Sequence, residues 1–347
     1  MPSSPFPAEL WEPEGLYLNT ASYGLPPRPG WEALQAALAD WHGGRTSWEG
    51  WGGAVEASRA SFARIAGVPV ETVAIGATVS GLVGTVAASI PDGARVVACD
   101  VDFTSLLFPF LVQEARGVEV RLVPAAELAG AIDDDTDVVA FSAVQMSSGE
   151  VADVPAVAAA ARRHGALSVC DATQACGWLP IDGAALDVVV ASAYKWLMSP
   201  RGTAFMAVRP EWLERITPTA AGWYAGEDVH CSYFGPPLRL ARSARRLDTS
   251  PAWFSWAGTA PALALVEEIG VEAIHAHDVA LANRFRAGLG MAPGNSAIVS
   301  ADLPGAAERL RAAGIIAAMR GGRLRASWHL YNTQADVDRA LDVIAGA

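Results

Sequence analysis

This 347-residue chain contains a single lysine, Lys195, and the other 24 of its 25 Lys and Arg residues are arginines. A guanidinium replaces an ammonium for solvation and ion pairing, but it keeps its proton and cannot work as a neutral amine. A lysine that survives such a bias is a candidate nucleophile or proton carrier; the bland alternative is an accident of composition. It stands in "VVVASAYKWLMSPRGTAF" (188–205), in a loop after an apolar run. After another apolar run, "ALSVC" (166–170), come the carboxylate Asp171 and the amide Gln174. Alone, an Asp at a strand end is usually a cap or turn residue. After "VAI" (73–75), "GATVSGL" (76–82) puts Thr78 at a helix start, where free N–H groups suit a phosphate. That signal is weak by itself, because Gly-Ala-Thr opens many ordinary helices.

The elements that must position these groups read as short apolar runs alternating with Ala-rich helical patterns. The expected strands are 72–77, 94–99, 118–123, 137–142, 166–171, 186–192 and 203–208. "DVPAVAAAARRHG" (153–165) reads as a helix, with an acidic start, two arginines in its last turn and a glycine stop. Near-continuous β-branched runs separated by helices imply an α/β fold with a mostly parallel central sheet covered by helices on both faces. Beyond Pro210 a Pro/Gly/Trp-rich stretch reads as loops to Pro251. Helices at 260–288, a strand at 296–300, a helix at 304–313, a strand at 323–328 and a helix at 334–345 then make a smaller α+β domain. Ligands of open α/β sheets gather at the carboxyl ends of the strands, so a carboxylate, an amide, the lysine and a phosphate nest at one edge form a plausible single site.

At these residues the chain resembles the class V aminotransferase and cysteine desulfurase family. "VCDATQACGWLPID" followed by "VVASAYKWLMSPRGTAF" is similar to that family's pyridoxal-phosphate signature. "YLNTASYG" (17–24) is similar to its amino-terminal entry segment, and "LRASWHLYNTQADVDRALDVI" (324–344) to its last strand and helix. The resemblance spans essentially the whole chain and implies a fold-type-I enzyme with pyridoxal 5′-phosphate as cofactor. It implies residues 1–30 as a segment contributing to the small domain and the site entry, 31–250 as the large cofactor-binding domain, and 251–347 as the small domain. Lys195 would be the Schiff-base lysine and proton shuttle, and Asp171 the partner of the pyridine nitrogen. Gln174 would bond the ring's 3′ oxygen, Phe103 would stack on the ring, and Ala77, Thr78, Ser192 and Tyr194 would surround the phosphate. Arg325 would grip a substrate carboxylate, with Asn19 and Ala21 beside it; Arg320 and Arg323 are its rivals in sequence. "RRLDTSPAWFSWAGT" (245–259) is similar to the segment that a partner subunit extends into the site, so Thr249 and Ser250 would reach the phosphate of a second copy and the protein would be a homodimer. Here Thr-Ser-Pro replaces the family's usual Gly-Thr-Pro.

The expected activity is transamination of an α-amino acid. β-Elimination of the C–S lyase or desulfurase kind is the alternative, and a non-catalytic cofactor-binding relative is a further one. Cysteine desulfurases carry a nucleophilic cysteine shortly before the carboxylate-binding arginine, and "GIIAAMRGGRLR" (314–325) has none, which argues against persulfide chemistry. The Trp- and Tyr-rich segments 41–51 and 222–235 read as loops that line an apolar pocket or pack an interface.

A net charge of −12 with scattered arginines argues against a nucleic-acid surface or a polybasic membrane anchor. Thr72 to Pro91 is long and uncharged, but its Gly, Thr and Ser content favours a strand and a buried helix over a membrane span. Four cysteines without a CxxC pair read as mainly small core residues in a reduced, cytoplasmic setting. His275 and His277, two apart on a helix, make no metal site. A nicotinamide dehydrogenase is set aside because no Gly-x-Gly-x-x-Gly follows an early strand.

Overall fold

The computed structural model describes residues 6–346. A short strand β1 (Leu16–Tyr17) pairs in parallel with Ile315–Ile316 at the other end of the chain. The main sheet is built from β2 (Val73–Gly76), β3 (Arg95–Cys99), β4 (Glu119–Val123), β5 (Val138–Ser142), β6 (Leu167–Asp171), β7 (Val188–Ser192) and β8 (Ala204–Val208). Its spatial order is β2-β8-β7-β6-β5-β3-β4, and only β8 runs antiparallel to its neighbours. A second sheet of three strands contains β9 (Ile298–Ala301), β11 (Ala318–Arg320) and β12 (Arg323–Ser327), while β10 is the Ile315–Ile316 partner of β1.

All seven expected strands of the main sheet form, within one or two residues of the sequence-based bounds. They are readable because β5, β6, β7 and β8 are buried along their whole length, so both faces demand apolar side chains. The pleat sends alternate residues into two different cores. Val139, Phe141, Val189, Ala191 and Phe205 face one layer with helices α2 (Trp48–Ala66) and α7 (Trp253–Ile269). Val138, Ala140, Val188, Val190 and Met206 face the other, with α3 (Val79–Ala87) and α4 (Thr104–Leu111). Phe62 of α2 stacks on Phe205 of β8 with centroids 4.4 Å apart. The expected helix at 153–165 is α5 (Val154–His164), capped by the Asp153 carboxylate accepting from the Ala156 amide and closed by Gly165.

The sequence pattern does not reveal α1 (Arg28–His42) or α2, and 41–51 is not the loop it suggests, since α1 ends and α2 begins inside it. Six glycines and four tryptophans in residues 30–53 obscure the helical period, and packing of both helices on α7 supplies what propensity does not. In the carboxyl-terminal part, α7 starts earlier than expected and Gly270 separates it from α8 (Val271–Gly288); α9 (Ala306–Ala312) and the capping-boxed α10 (Gln334–Ala345) stand where expected. Thr72 to Pro91 folds as β2 and α3, and among the described residues no helix is long and apolar enough to cross a membrane.

One buried ion pair ties the segment before α7 to the edge of the main sheet. Arg59 on α2 donates to Asp248 (Nη2 to Oδ2, 2.7 Å) and to the Val73 carbonyl (2.6 Å), and the Ile75 amide donates to Asp248 Oδ1 (2.8 Å). Both side chains are almost fully buried, so removing Asp248 takes away the buried partner of the Arg59 charge and leaves it only the more exposed Glu56 (3.1 Å) and the Val73 carbonyl. Asp248→Ala is expected to lower the unfolding free energy by about 3–5 kcal/mol in urea denaturation; a loss below about 1 kcal/mol, the range of an exposed pair, would contradict this account.

Candidate active site

The carboxyl ends of the parallel strands open into one cleft lined by eight of the thirteen residues given a role in the expected site; Asn19, Ala21, Thr249, Ser250 and Arg325 are not among its lining. Ala77 and Thr78 follow β2, Phe103 follows β3, Asp171 ends β6, Ser192 ends β7, and Tyr194 and Lys195 lie in the turn after it. All of them, together with Gln174, line the cleft. The shared edge is a consequence of topology: β2, β3, β6 and β7 all point their carboxyl ends the same way.

Lys195 is buried, with its Nζ 5.7 Å from the ring centres of both Phe103 and Tyr194. Burial pushes its ammonium down from the ordinary lysine value to about 8; Asp171 opposes this, and the nearby Arg325, Arg201 and Arg320 add to it. Asp171 is fully buried. Its carboxyl is pushed up by desolvation, against the Thr173 amide, which donates to Oδ1 at 2.8 Å, and against the Lys195 charge. A second buried carboxylate, Asp102, accepts from Gln145 Nε2 at 2.7 Å and from the Ser142 amide. Burial raises it to about 6, and the Asp171 charge adds to that rise.

Gln174 is fixed from both sides: its Nε2 donates to the Ala21 carbonyl (2.9 Å) and its Oε1 accepts from Trp196 Nε1 (2.9 Å). Thr78 is the N-cap of α3, its hydroxyl accepting from the Gly81 amide at 3.2 Å. The first amides of a helix lack intrahelical acceptors, and Val79 and Ser80 line the cleft at that end.

Arg325 of β12 is buried, with no acidic partner among the described residues. It donates to the Met146 carbonyl (2.8 Å), the Ser22 hydroxyl (2.7 Å) and, at 3.4 Å, Asn19 Oδ1, while its Nε has no partner. Burial, with Arg320 adding to it, moves the guanidinium down to about 10, so it is still a cation near neutral pH. An unsatisfied N–H on such a group costs about 1–3 kcal/mol, a cost that an anionic ligand at Arg325 would remove. Asn19 thus sits against Arg325, whereas Ala21 links Gln174 to the Ser327 hydroxyl through its backbone. Thr249 and Ser250 are outside this cleft; the Thr249 amide faces the Ile75 carbonyl at the end of β2.

The turn carrying Lys195 is clamped by backbone. Gly24 donates its amide to the Tyr194 carbonyl at 2.9 Å, and a Cβ there would sit 1.9 Å from the Lys195 carbonyl oxygen. Gly177, at φ 108°, also packs tightly, its Cβ position lying 2.8 Å from the Trp196 carbonyl oxygen. That same carbonyl accepts from His329 Nε2 (3.0 Å), whose Nδ1 meets Asp278 Oδ2 (2.8 Å) in a completely buried pair. A carbonyl only accepts, so Nε2 carries a proton. Sequence reasoning does not find His329, Asp278, Ser22, Thr173 or Arg201. None carries a local signal; the Gly24 end of "YLNTASYG" is the only pointer to this clamp. His275 and His277 take structural places, stacked on Trp178 and bonded to the Asn332 carbonyl. Cys99, Cys170 and Cys176 are buried, as expected of most of the cysteines, and Cys231 is exposed in the 222–235 segment. Among the described residues no His, Cys, Asp and Glu group could hold a metal ion.

The model of the class-V aminotransferase family matches residues 53–307, and the chain belongs to that family. An uncharacterized aminotransferase, YcbU, of Bacillus subtilis (strain 168) is 31% identical over 314 residues, covering 84% of this chain and 83% of the relative. Isopenicillin N epimerase of Streptomyces clavuligerus is 26% identical over 338 residues, covering 83% and 84%. Among solved structures, the cystine C-S lyase C-DES, in complex with its product cysteine persulfide, superposes with a TM-score of 0.86 at 20% identity over 96% of this chain and 97% of that one. The last match concerns the fold, a mixed α/β architecture with a mostly parallel sheet.

Because Lys195 is the only lysine, its titration can be read chemically. Acylation of the apoprotein, followed on the Lys195 peptide by mass spectrometry, is expected to be half-maximal near pH 8 and complete above it, because the free amine reacts. A midpoint near the ordinary value of about 10.4 would mean that the amine is solvated. Gly24→Val is expected to shift this midpoint upward by opening the turn to water; an unchanged midpoint would show that the clamp does not shape the site.

Proposed function

We propose that the protein is a pyridoxal 5′-phosphate-dependent enzyme that transfers the amino group of an α-amino acid. The observation that carries this reading is the single lysine, buried and easily deprotonated, sharing a cleft with a buried carboxylate, while Arg325, for which no acidic partner is found among the described residues, bonds the carbonyl of the cleft-lining Met146. The cleft fits the cofactor. Among the described residues no donor reaches Asp171 Oδ2, which leaves an acceptor for a protonated ring nitrogen. Phe103 supplies an apolar face, and the start of α3 with Thr78, Ser192 and Tyr194 supplies donors for a phosphate. Family membership supports the same assignment.

When bound, the cofactor supplies an electron sink for the electrons released at the substrate's Cα. The chain's part is binding, orientation and proton transfer. Asp171, held by the Thr173 amide, keeps a proton on the ring nitrogen. Gln174, locked between Ala21 and Trp196, presents its remaining Nε2 hydrogen to the ring's 3′ oxygen. Arg325 binds the α-carboxylate and so orients the Cα–H bond toward Lys195. The Lys195 amine, poised near neutrality, takes that proton and returns it. The assembly proposed with this reading is a homodimer in which Thr249 and Ser250, outside the cleft of their own chain, reach the site of a second copy.

A second reading, β-elimination at a C–S bond, is supported by the fold shared with a C-S lyase and by the same proton-transfer groups. A nucleophilic cysteine is not available to it. Gly321 and Gly322 close a short hairpin where a cysteine-bearing loop would stand, and none of the four cysteines lines the cleft.

Single-turnover reactions across an amino-acid panel separate the readings. A 2-keto acid with stoichiometric amino cofactor is expected, while pyruvate plus ammonia with unchanged cofactor would favour elimination; neither, with cofactor bound, would overturn both. Arg325→Ala is expected to raise KM roughly 100-fold with little change in cofactor affinity; an unchanged KM would move the carboxylate site elsewhere.

A further inference from the structure

The hairpin that carries Arg325 presents a second cation that the proposed reaction does not use. β11 and β12 are joined by Gly321 and Gly322, with φ 54° and 77°. Positive φ at both central residues is the tight hairpin turn that follows the twist of its strands and that glycine adopts freely. The two-residue connection makes Arg320 the direct partner of Arg323, and Ala318 that of Arg325. Side chains alternate between faces, so Arg320, Arg323 and Arg325 all project from one face. Arg323 turns to β9 and bonds Ser300. Arg320 and Arg325 lean the other way and meet on a single acceptor: the Nη2 atoms of both donate to the Ser22 hydroxyl, at 3.2 and 2.7 Å.

A hydroxyl oxygen has two lone pairs, so the two guanidiniums saturate Ser22. Among the described residues no carboxylate lies within ion-pair distance of either arginine; other arginines share that lack, but these two are brought onto one acceptor, and Arg325 is buried. Two neighbouring cations turned toward one hydroxyl, one of them bonded to the carbonyl of the cleft-lining Met146 and with no carboxylate between them among the described residues, form an arrangement completed by anionic charge from a ligand. One α-carboxylate occupies one planar guanidinium edge; Arg320 remains for another anion.

Resting on the proposed amino-transfer reaction, we infer that the substrate amino acid carries a second acid group on its side chain, a carboxylate or a sulfinate, held by Arg320 while Arg325 holds the α-carboxylate. The test compares kcat/KM of the holoenzyme for L-aspartate, L-glutamate and L-cysteine sulfinate with that for L-alanine and L-leucine. Acidic substrates are expected to be preferred, and Arg320→Gln to lower them roughly 10- to 100-fold while leaving the neutral ones within about threefold. Preference for neutral substrates, an equal loss for both classes, or the selective loss appearing in Arg201→Gln instead would overturn the assignment. The carboxylate and sulfinate arms separate the two acid groups. Calorimetry with glutarate and butyrate, which cannot react, reads the same site without turnover. Glutarate binding that is tighter than butyrate and loses its advantage in Arg320→Gln supports the anion site even if no amino acid is turned over, an outcome that would fault the reaction and not the site; an advantage insensitive to Arg320 overturns it.

Discussion

The site depends on keeping the Lys195 amine out of water beside a buried carboxylate. Desolvation favours the neutral amine and disfavours the charged carboxylate, while their mutual attraction works the other way. Neither group can move far without changing that balance, so the turn between β7 and β8 must be held closely. Backbone does most of this: Gly24 and Gly177 bring main chain against the Lys195 and Trp196 carbonyls at distances no side chain would permit. Met198, at φ 51°, adopts a left-handed conformation in the same turn, which costs a non-glycine residue about 1–2 kcal/mol. The surrounding packing over-determines this turn.

The clamp also explains why the ends of the chain come together at the site. Asn19, Ala21, Ser22 and Gly24 follow β1, which pairs with β10, and Arg325 and His329 lie on β12 and just after it. The Ser327 hydroxyl accepts from the Ala21 amide, and Asn332 Nδ2 donates to the Tyr17 carbonyl. His329, held by Asp278 of α8, then reaches across to the Trp196 carbonyl. The part that carries Arg325 is thereby tied to the loop that carries the amine.

Much of this arrangement is legible in the amino-acid sequence. The main-sheet strands are buried on both faces and announce themselves as apolar runs; Lys195, Asp171 and Thr78 sit where those runs end, so their common edge follows from strand direction alone. What a sequence does not display is the effect of distant residues on each other. The Arg59–Asp248 pair, the Asp278–His329 pair, and the meeting of Arg320 with Arg325 on Ser22 join positions far apart in sequence with no local pattern. Helices α1 and α2 are hidden for a different reason, because their glycines and tryptophans serve packing against α7 at the expense of helical periodicity. The role of the Trp-rich segments is settled in part: Trp48, Trp223 and Trp253 pack edge to face and tilted on one another, away from the lining of the cleft.

Membership of the class-V aminotransferase family narrows the chemistry without naming the substrate, since relatives with one scaffold are called aminotransferase, epimerase and kynureninase. What this chain adds is a lysine that no other lysine can replace. The most direct measurement is therefore the visible spectrum of the purified protein with pyridoxal 5′-phosphate, followed by borohydride reduction and mapping of the labelled peptide. A yellow band that reduction converts into a stable label on Lys195 is the result this account predicts. A protein that stays colourless, or a label on the amino terminus with Lys195 unmodified, would contradict it.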